Sequence, residues 1–401
     1  MKWIDGGITA PKGFRASGVA AGIKKKPGKK DCALIVSDSP AVLAGVFTKN
    51  VMKSPPVFWN IECCKAGKGR GVFINAGNAN AATGTRGDQD VRTTAEDLAS
   101  KLGVSIDDIC ICSTGVIGVP LPMEKIGAGV AESVKALSAN GSLDAATAIM
   151  TTDLVAKEFA AEVALSGGTV RLGAIAKGSG MISPNMATMI AIITCDAAID
   201  AAELRGILVR ATELSFNQIS VDNDMSTSDT VLVYANGQSG AAALTSQSAD
   251  FALFESAFTE FCQAIAKSLV KDGEGATKFV EIRVAGTATD ADAKSIARAI
   301  GNSQLCKTAF FGEDANWGRF ACAAGYAGVD FDPKDLSIAL DGVVLTSGGL
   351  VADYPEQDAA AVMKQKEFTI RVSVGGGPGK ATFWTCDLSQ GYVSINADYR
   401  S

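Results

Sequence analysis

The stretch that most constrains how this chain folds is Lys177–Asp196, which reads KGSGMISPNMATMIAIITCD. Its glycines and proline favour a tight turn, and the apolar, β-branched run after Thr188 is typical of a buried strand. The small residue Ala187 precedes Thr188. This layout is expected if the chain cleaves itself before Thr188 and exposes that threonine as a new N-terminus. An ordinary loop-to-strand junction fits the same local pattern, so both interpretations stay open.

The absence of histidine narrows the chemistry. The chain has 401 residues and no histidine, which excludes Ser-His-Asp and Cys-His catalytic groups and histidine-ligated metals. A threonine hydroxyl would then need another base. The α-amine of an N-terminal threonine is suitable, because its ordinary pKa of about 7.7–8.0 is close to neutral pH. Cleavage before Thr188 would therefore also activate the nucleophile.

Composition limits the class of protein. The net charge of −6 argues against a nucleic-acid-binding protein, and we interpret the basic run Lys24–Lys30 as a solvated loop. No apolar stretch reaches the ~20 residues of a membrane span, and the N-terminus does not resemble a signal peptide. The ten cysteines form no C-x-x-C pair, which fits a reducing compartment. These features predict a soluble, cytoplasmic, globular protein that binds neither nucleic acid nor membranes.

Two motifs resemble ligand loops only in part. Gly375–Ala381 lacks the spacing of a phosphate loop, and its last position is an alanine instead of a magnesium-binding hydroxyl. Asp222–Ser226 begins like a calcium loop, but Thr227 and Val233 occupy the positions of its glycine and its acidic residue. We therefore expect no metal and no tightly bound cofactor.

Hydrophobic periodicity predicts alternating strands and helices. The predicted strands are Cys32–Val36, Val42–Thr48, Val72–Asn75, Ile109–Ser113, Met189–Thr194, Thr230–Tyr234 and Phe279–Ala285. One predicted amphipathic helix carries Ile126, Val130, Val134 and Leu137, and a second carries Phe254, Phe258, Phe261, Ile265 and Leu269. Ser166–Thr169 reads as a hairpin turn. Such a mixture favours sheets covered by helices, with composition shifts near Pro184 and Gly286.

Ten segments together resemble the glutamate N-acetyltransferase family, also called ornithine acetyltransferase, of arginine biosynthesis. They are Ala44–Asn50, Asn75–Asn80, Ser113–Gly118, Met150–Asp153, Lys177–Ile182, Asn185–Met189, Asp222–Thr227, Gly273–Lys278, Asn316–Arg319 and Ile395–Tyr399. They follow the family order and span nearly the whole chain. One departure is Asn223, where a glycine is expected, although asparagine tolerates the left-handed backbone that a turn there requires.

The resemblance implies an α+β fold. It would be a layered α-β-β-α sandwich like that of the N-terminal-nucleophile hydrolases, with a smaller C-terminal α+β domain. Residues 1–187 would form an α chain, residues 188–285 would begin the β chain and complete the sandwich, and residues 286–401 would form the C-terminal domain. Family members associate as (αβ)₂ heterotetramers, so this assembly is also implied.

The resemblance also assigns roles to residues. Cleavage would fall between Ala187 and Thr188, and Thr188 would be the nucleophile. Thr114 and Gly115 would form the oxyanion hole, one through its side chain and the other through its backbone. The implied substrate contacts are Thr152, Lys177, Thr188, Glu274, Asn396 and Ser401. Lys177 suits an α-carboxylate and Glu274 an ammonium group, while the amide of Asn396 suits an amide or carboxylate partner.

The implied reaction moves an acetyl group from N2-acetyl-L-ornithine to L-glutamate through an acetyl-Thr188 intermediate. The resemblance leaves open whether acetyl-CoA is a second donor. Two alternatives remain. A self-cleaving amidohydrolase or aminopeptidase of the same fold would release the acyl group to water. An uncleaved binding or scaffold protein would perform no chemistry.

Overall fold

The computed structural model describes residues 1–183 and 189–398. They form two compact units. The first comprises Met1–Asn217 and Asp224–Leu269, and the second comprises Gln218–Asn223 and the chain from Val270 onward. The predicted cut between Ala187 and Thr188 lies outside the described residues. The boundary predicted near Gly286 falls within the second unit.

The described residues contain sixteen strands and eleven α-helices. The strands are β1 (Lys2–Trp3), β2 (Phe14–Val19), β3 (Cys32–Phe47), β4 (Lys68–Asn78), β5 (Ile109–Val116), β6 (Lys157–Leu165), β7 (Gly168–Lys177), β8 (Ile190–Cys195), β9 (Ile219–Ser220), β10 (Thr230–Ala235), β11 (Phe279–Gly286), β12 (Ser337–Leu340), β13 (Val343–Ser347), β14 (Leu350–Val351), β15 (Glu367–Ser373) and β16 (Gly377–Cys386). The helices are α1 (Pro55–Lys65), α2 (Gly84–Leu102), α3 (Met123–Lys135), α4 (Ser142–Ile149), α5 (Ala201–Glu213), α6 (Phe251–Lys271), α7 (Asp290–Asn302), α8 (Gln304–Phe311), α9 (Trp317–Gly325), α10 (Glu356–Met363) and α11 (Gln390–Asp398).

A nine-stranded sheet organises the first unit. Its order is β1-β6-β7-β8-β10-β3-β4-β5, and β2 also pairs with β3. Alternate residues of β3 enter different cores, as strand geometry requires. Leu34 packs in a cluster with α2 and α3, whereas Ile35 packs in a cluster with α4. Helices therefore cover both faces of this sheet, and the strand interiors read as nearly continuous apolar runs.

The second unit contains a seven-stranded sheet in the order β14-β13-β12-β15-β11-β16-β9. Apolar residues of its strands share one core with helices α7 to α10, among them Ile282, Ile300 and Phe310. The predicted α+β class is thus confirmed. No helix among the described residues is both long and apolar enough to cross a membrane.

Most predicted strands and both amphipathic helices are confirmed, although Leu137 lies beyond the end of α3. One strand prediction is wrong. Cys32–Val36 and Val42–Thr48 are not two strands, because β3 runs unbroken through both regions. Its pairing with β4 shifts register between Val36 and Ala41. Such an irregularity absorbs extra residues without ending a strand and accommodates Pro40, which has no N–H to donate. The hairpin is confirmed, since Leu165 pairs with Gly168.

An aromatic cluster formed by Phe261 of α6 with Trp3 of β1 and Phe159 of β6 provides a test of the packing in the first unit. The Phe261 side chain is fully buried, and its ring centroid lies 5.6 Å from that of Trp3 and 6.5 Å from that of Phe159. Phe261→Ala should lower the free energy of unfolding by about 3–5 kcal/mol, because a cavity replaces the ring. Urea titration followed by circular dichroism measures this. Leu253→Ala, on the exposed side of the same helix, is the control, and equal losses for both variants would contradict the packing.

Candidate active site

Thr114 and Gly115 lie at the end of β5, where its parallel pairing with β4 becomes irregular. Gly115 pairs with Gly77 and has a φ of +129°. A Cβ at Gly115 would lie 2.4 Å from the carbonyl carbon of Gly77 and 2.6 Å from the amide nitrogen of Asn78. Only glycine fits so close an approach in this conformation. The chain end of β5 therefore holds the Gly115 peptide at a fixed place beside the Thr114 hydroxyl.

Lys177 reaches Thr114 from another strand of the same sheet. It is the last residue of β7, and its Nζ donates a hydrogen bond to Oγ1 of Thr114 over 3.4 Å. A hydroxyl that accepts a bond from an ammonium group is polarised, which makes its own proton a stronger donor. The structure thus brings together two of the predicted site residues in an arrangement suited to stabilise a negative oxygen.

Asp153 is a buried carboxylate beside Lys177. Its carboxylate accepts hydrogen bonds from Lys157 Nζ at 2.8 Å, Gly178 N at 2.8 Å and Thr151 N at 2.9 Å. Burial opposes ionisation of this carboxyl, but the ammonium groups of Lys177 and Lys157 outweigh it and hold the pKa of Asp153 at about 2. The carboxylate is therefore charged at neutral pH and balances the two buried lysines.

Thr152 lies in the loop between α4 and β6. The residues on either side of it, Thr151 and Asp153, are joined by a hydrogen bond. The bond from Thr151 N to the Asp153 side chain closes a local turn around Thr152. Among the described residues, no hydrogen bond joins Thr152 to Thr114. The loop that carries Thr152 is nevertheless anchored to the same carboxylate that faces Lys177.

Glu274 and Asn396 are brought together in the second unit. Asn396 Nδ2, on α11, donates to Glu274 Oε2 over 2.8 Å, and the Glu274 side chain is largely buried. Gly275 has a φ of +69°, and a Cβ there would lie 2.4 Å from the amide nitrogen of Tyr392. The glycine after Glu274 thus lets α11 approach closely, so that Asn396 can orient the carboxylate.

Ala187, Thr188 and Ser401 lie outside the described residues. The strand that follows Thr188 is nevertheless placed, since Ile190 of β8 pairs with Lys177 on one side and with Thr230 on the other. The carbonyl of Met189 accepts a hydrogen bond from Thr230 N at 2.9 Å. The chain therefore enters β8 beside the lysine that contacts Thr114.

A buried carboxyl next to Met189 was not predicted. Asp229 precedes β10, and burial raises its pKa well above the usual range despite hydrogen bonds from Thr48, Ser226 and the Met189 backbone. Its Oδ2 is buried and accepts no hydrogen bond from the described residues. The sequence carries no signal for Asp153 either, because four-residue spacing brings charges together on a helix and Asp153 lies in a loop before strand β6. The predicted left-handed backbone at Asn223 is confirmed by a φ of 68°.

Comparison with known proteins decides the family. The profile of the ArgJ family matches residues 15–401. The arginine biosynthesis bifunctional protein ArgJ of Symbiobacterium thermophilum is 46% identical over 402 residues and covers 100% of both chains. The chain belongs to the ArgJ family. The family resemblance of the ten sequence segments is thereby confirmed.

Two solved ArgJ-related structures are also similar. The arginine biosynthesis bifunctional protein ArgJ of Bacillus halodurans is 40% identical with a TM-score of 0.50, and the match covers 51% of this chain and 97% of that one. An ornithine acetyltransferase of Mycobacterium tuberculosis, solved in complex with ornithine, is 44% identical with a TM-score of 0.42, and the match covers 45% of this chain and 96% of that one.

Removing the Asp153 charge should change the pH dependence of stability. The folded pKa of about 2 lies below the ordinary value of ~3.9. The carboxylate therefore stabilises the fold fully above about pH 5 and loses this effect as the pH falls towards 2. Asp153→Asn should lower the free energy of unfolding by about 3–5 kcal/mol at pH 7, because two lysines lose their buried counter-charge.

The measurement is denaturant unfolding of wild type and Asp153→Asn from pH 7 to pH 2. The difference between the two proteins should narrow by about 2–3 kcal/mol across the acid range, since a pKa shift of about two units corresponds to that energy. Asp88→Asn, on the exposed side of α2, is the control. A difference between wild type and Asp153→Asn that stays constant with pH would contradict the assigned charge state.

Proposed function

We propose that this member of the ArgJ family transfers the acetyl group of N2-acetyl-L-ornithine to L-glutamate, after cleaving itself between Ala187 and Thr188. Acetyl transfer in arginine biosynthesis is the activity that family membership supports. The observation that carries the mechanism is the bond from Lys177 to Thr114 beside the constrained Gly115. This arrangement supports an oxyanion hole and needs no metal or bound cofactor.

The first half-reaction forms an acetyl-enzyme. The Thr188 α-amine takes the proton of its own hydroxyl, and Oγ attacks the acetyl carbonyl carbon of acetylornithine. The carbonyl oxygen becomes negative and accepts hydrogen bonds from the Gly115 N–H and the Thr114 hydroxyl, a contribution typically worth ~10²–10³ in rate per donor. The C–N bond then breaks, the Thr188 ammonium returns the proton to the leaving nitrogen, and ornithine departs.

The second half-reaction reverses these steps with another amine. The neutral α-amine of glutamate attacks the acetyl-Thr188 ester, and the same two donors hold the oxyanion. The Thr188 α-amine takes a proton from the attacking nitrogen and passes it to Thr188 Oγ as the ester C–O bond breaks, and N-acetylglutamate leaves. Because both acceptor and donor are α-amino acids, one carboxylate-binding group serves both, and we assign this role to Lys177.

The remaining predicted contacts receive roles from their chemistry. We assign to the Glu274 carboxylate the side-chain ammonium of ornithine, with Asn396 fixing the carboxylate through its 2.8 Å hydrogen bond. The Thr152 hydroxyl and the C-terminal residue Ser401 complete the proposed substrate contacts. We assign Asp153 a supporting role, because its carboxylate already accepts hydrogen bonds from Thr151 N, Lys157 Nζ and Gly178 N.

Self-cleavage draws support from the solved relative of Bacillus halodurans. That chain is almost fully matched, yet the match spans only 51% of this chain, as expected for a polypeptide produced by a cut near the middle. A cut before Thr188 divides this chain into residues 1–187 and 188–401. Association of the two chains as (αβ)₂, a cytoplasmic location and acetyl-CoA as a second donor belong to the same proposal.

Isotope transfer tests the reaction itself. Incubation with N2-acetyl-L-ornithine labelled in its acetyl group, with and without L-glutamate, should place the label in N-acetylglutamate only when glutamate is present. Chromatography with mass detection separates the products, and labelled acetyl-CoA replaces acetylornithine in a parallel arm. Release of labelled acetate at a rate unaffected by glutamate would instead support the amidohydrolase alternative.

Denaturing mass spectrometry tests the nucleophile. The wild-type protein should appear as two chains divided between Ala187 and Thr188, and acetylornithine without glutamate should add the mass of one acetyl group to the second chain. Thr188→Ala should remain a single, inactive chain, because it has no hydroxyl to attack with. Thr194→Ala removes a threonine hydroxyl within β8 that donates to the Ile8 carbonyl, and this variant should still be cleaved. A processed and active Thr188→Ala protein would refute the scheme.

A further inference from the structure

Two asparagines at the end of β4 form a hydrogen-bonded chain beside the oxyanion pair. Ser113 Oγ donates to Asn75 Oδ1 at 2.6 Å, and Asn75 Nδ2 donates to the Asn78 carbonyl at 2.8 Å. Asn78 Nδ2 in turn donates to the carbonyls of Val119 at 3.0 Å and Pro120 at 3.1 Å. All three polar side chains are buried, so each of these bonds is costly to lose.

This chain of bonds holds the Thr114–Gly118 segment from both ends. Ser113 directly precedes Thr114, and Val119 directly follows Gly118. Backbone bonds add to the constraint, from Ala79 N to the Val116 carbonyl at 2.9 Å and from Gly118 N to the Ala81 carbonyl at 2.8 Å. The segment that carries the oxyanion donors is therefore fastened to β4 on either side.

The side-chain bonds appear where regular sheet pairing fails. The register of β4 and β5 shifts at Gly77 and Asn78, directly opposite Thr114 and Gly115. A bulge interrupts the backbone ladder and leaves peptide groups in need of other partners. The Asn75 amide bonds the Asn78 carbonyl at the bulge, and the Asn78 amide bonds the Val119 and Pro120 carbonyls just beyond the end of β5. Without these amides, the Thr114–Gly118 segment would be held only by backbone contacts, such as those from Ala79 N to the Val116 carbonyl and from Gly118 N to the Ala81 carbonyl.

We propose that Asn75 and Asn78 are positioning residues that fix the directions of the Gly115 N–H and the Thr114 hydroxyl for oxyanion stabilisation. The inference rests on the proposed acyl chemistry. Oxyanion donors are effective because they are held in place before charge develops, and supporting hydrogen bonds set that placement to within about 0.5 Å. Loss of the Asn78 amide should therefore slow the chemical step more than it weakens substrate binding.

Asn60, on helix α1, offers a matched control because its side chain bonds strand β5. Its Nδ2 donates to the Ile111 carbonyl at 2.8 Å, its Oδ1 accepts from Ile111 N at 2.9 Å, and its side chain is fully buried. It is thus a buried asparagine that bonds β5 in its interior, two residues before Ser113. Asn60→Ala and Asn78→Ala remove comparable hydrogen bonds, but only the Asn78 amide bonds the residues that directly follow the oxyanion segment.

The test compares kcat, KM and thermal stability for the cleaved wild-type enzyme, Asn78→Ala and Asn60→Ala. Asn78→Ala should lower kcat about 10- to 100-fold with KM changed less than about threefold, a fraction of the loss from removing an oxyanion donor. Asn60→Ala should lower the melting temperature with kcat within about threefold of wild type. In a Thr114→Ala background, the loss from Asn78→Ala should be smaller than in wild type, because both changes remove part of one interaction.

A milder pair of variants covers the case in which Asn78→Ala does not fold. Ser113→Ala deletes the donor to Asn75 and should lower kcat about three- to tenfold, and Ser113→Thr, which keeps a hydroxyl, should restore it. Equal kcat losses for Asn60 and Asn78 variants, or fully multiplicative losses with Thr114→Ala, would overturn the proposal. If the wild-type protein releases acetate instead of acetylating glutamate, the proposed transferase function is wrong, but the positioning proposal can still be tested. The kcat values of the variants are then compared for acetate release.

Discussion

The candidate site depends on the electrostatic interaction of the Asp153 carboxylate with two lysines. The carboxylate lies buried between Lys157 and Lys177 and also accepts a bond from Gly178 N. Two buried ammonium groups without a counter-charge would be strongly destabilising. The Lys177 ammonium lies beside this carboxylate at the end of β7, where it donates a hydrogen bond to Thr114. We therefore interpret the cluster of Asp153, Lys157 and Lys177 as a means of positioning a positive charge at the site, more than as a net contribution to the free energy of unfolding.

Much of the fold could be predicted from residue patterns, because those patterns follow burial. The apolar runs at Ile109 and Thr230 became strands, and the phenylalanines at helical spacing became α6. The continuous strand β3 could not be predicted, since Pro40 and its polar neighbours read as a loop. Only the pairing partners on either side keep that segment extended, and such partners are not visible in a local sequence window.

The site was predictable to a lesser degree. Family resemblance pointed to Thr114, Lys177 and Glu274, but neither periodicity nor composition distinguished them from other polar residues. The contacts that give them chemistry join distant parts of the chain, as in the bond from Asn396 to Glu274. The role of Asn75 depends on a bulge in a parallel pairing, which no sequence rule anticipates. A residue that acts by positioning another residue can be recognised only from the contacts in the folded structure.

The order of strands in the first unit determines how the two products of the proposed cleavage would stay associated. Strands β8 and β10, which follow Thr188 in the chain, lie between β7 and β3, which precede it. A cut there would leave two polypeptides interleaved in one hydrogen-bonded sheet. Folding of the precursor is a first-order process, whereas re-formation of this sheet from separated products would be second-order and would slow with dilution. The mature enzyme would then persist because the barrier to dissociation of its two chains is high. Once unfolded, these chains would lack the peptide bond that joined them when the sheet first formed.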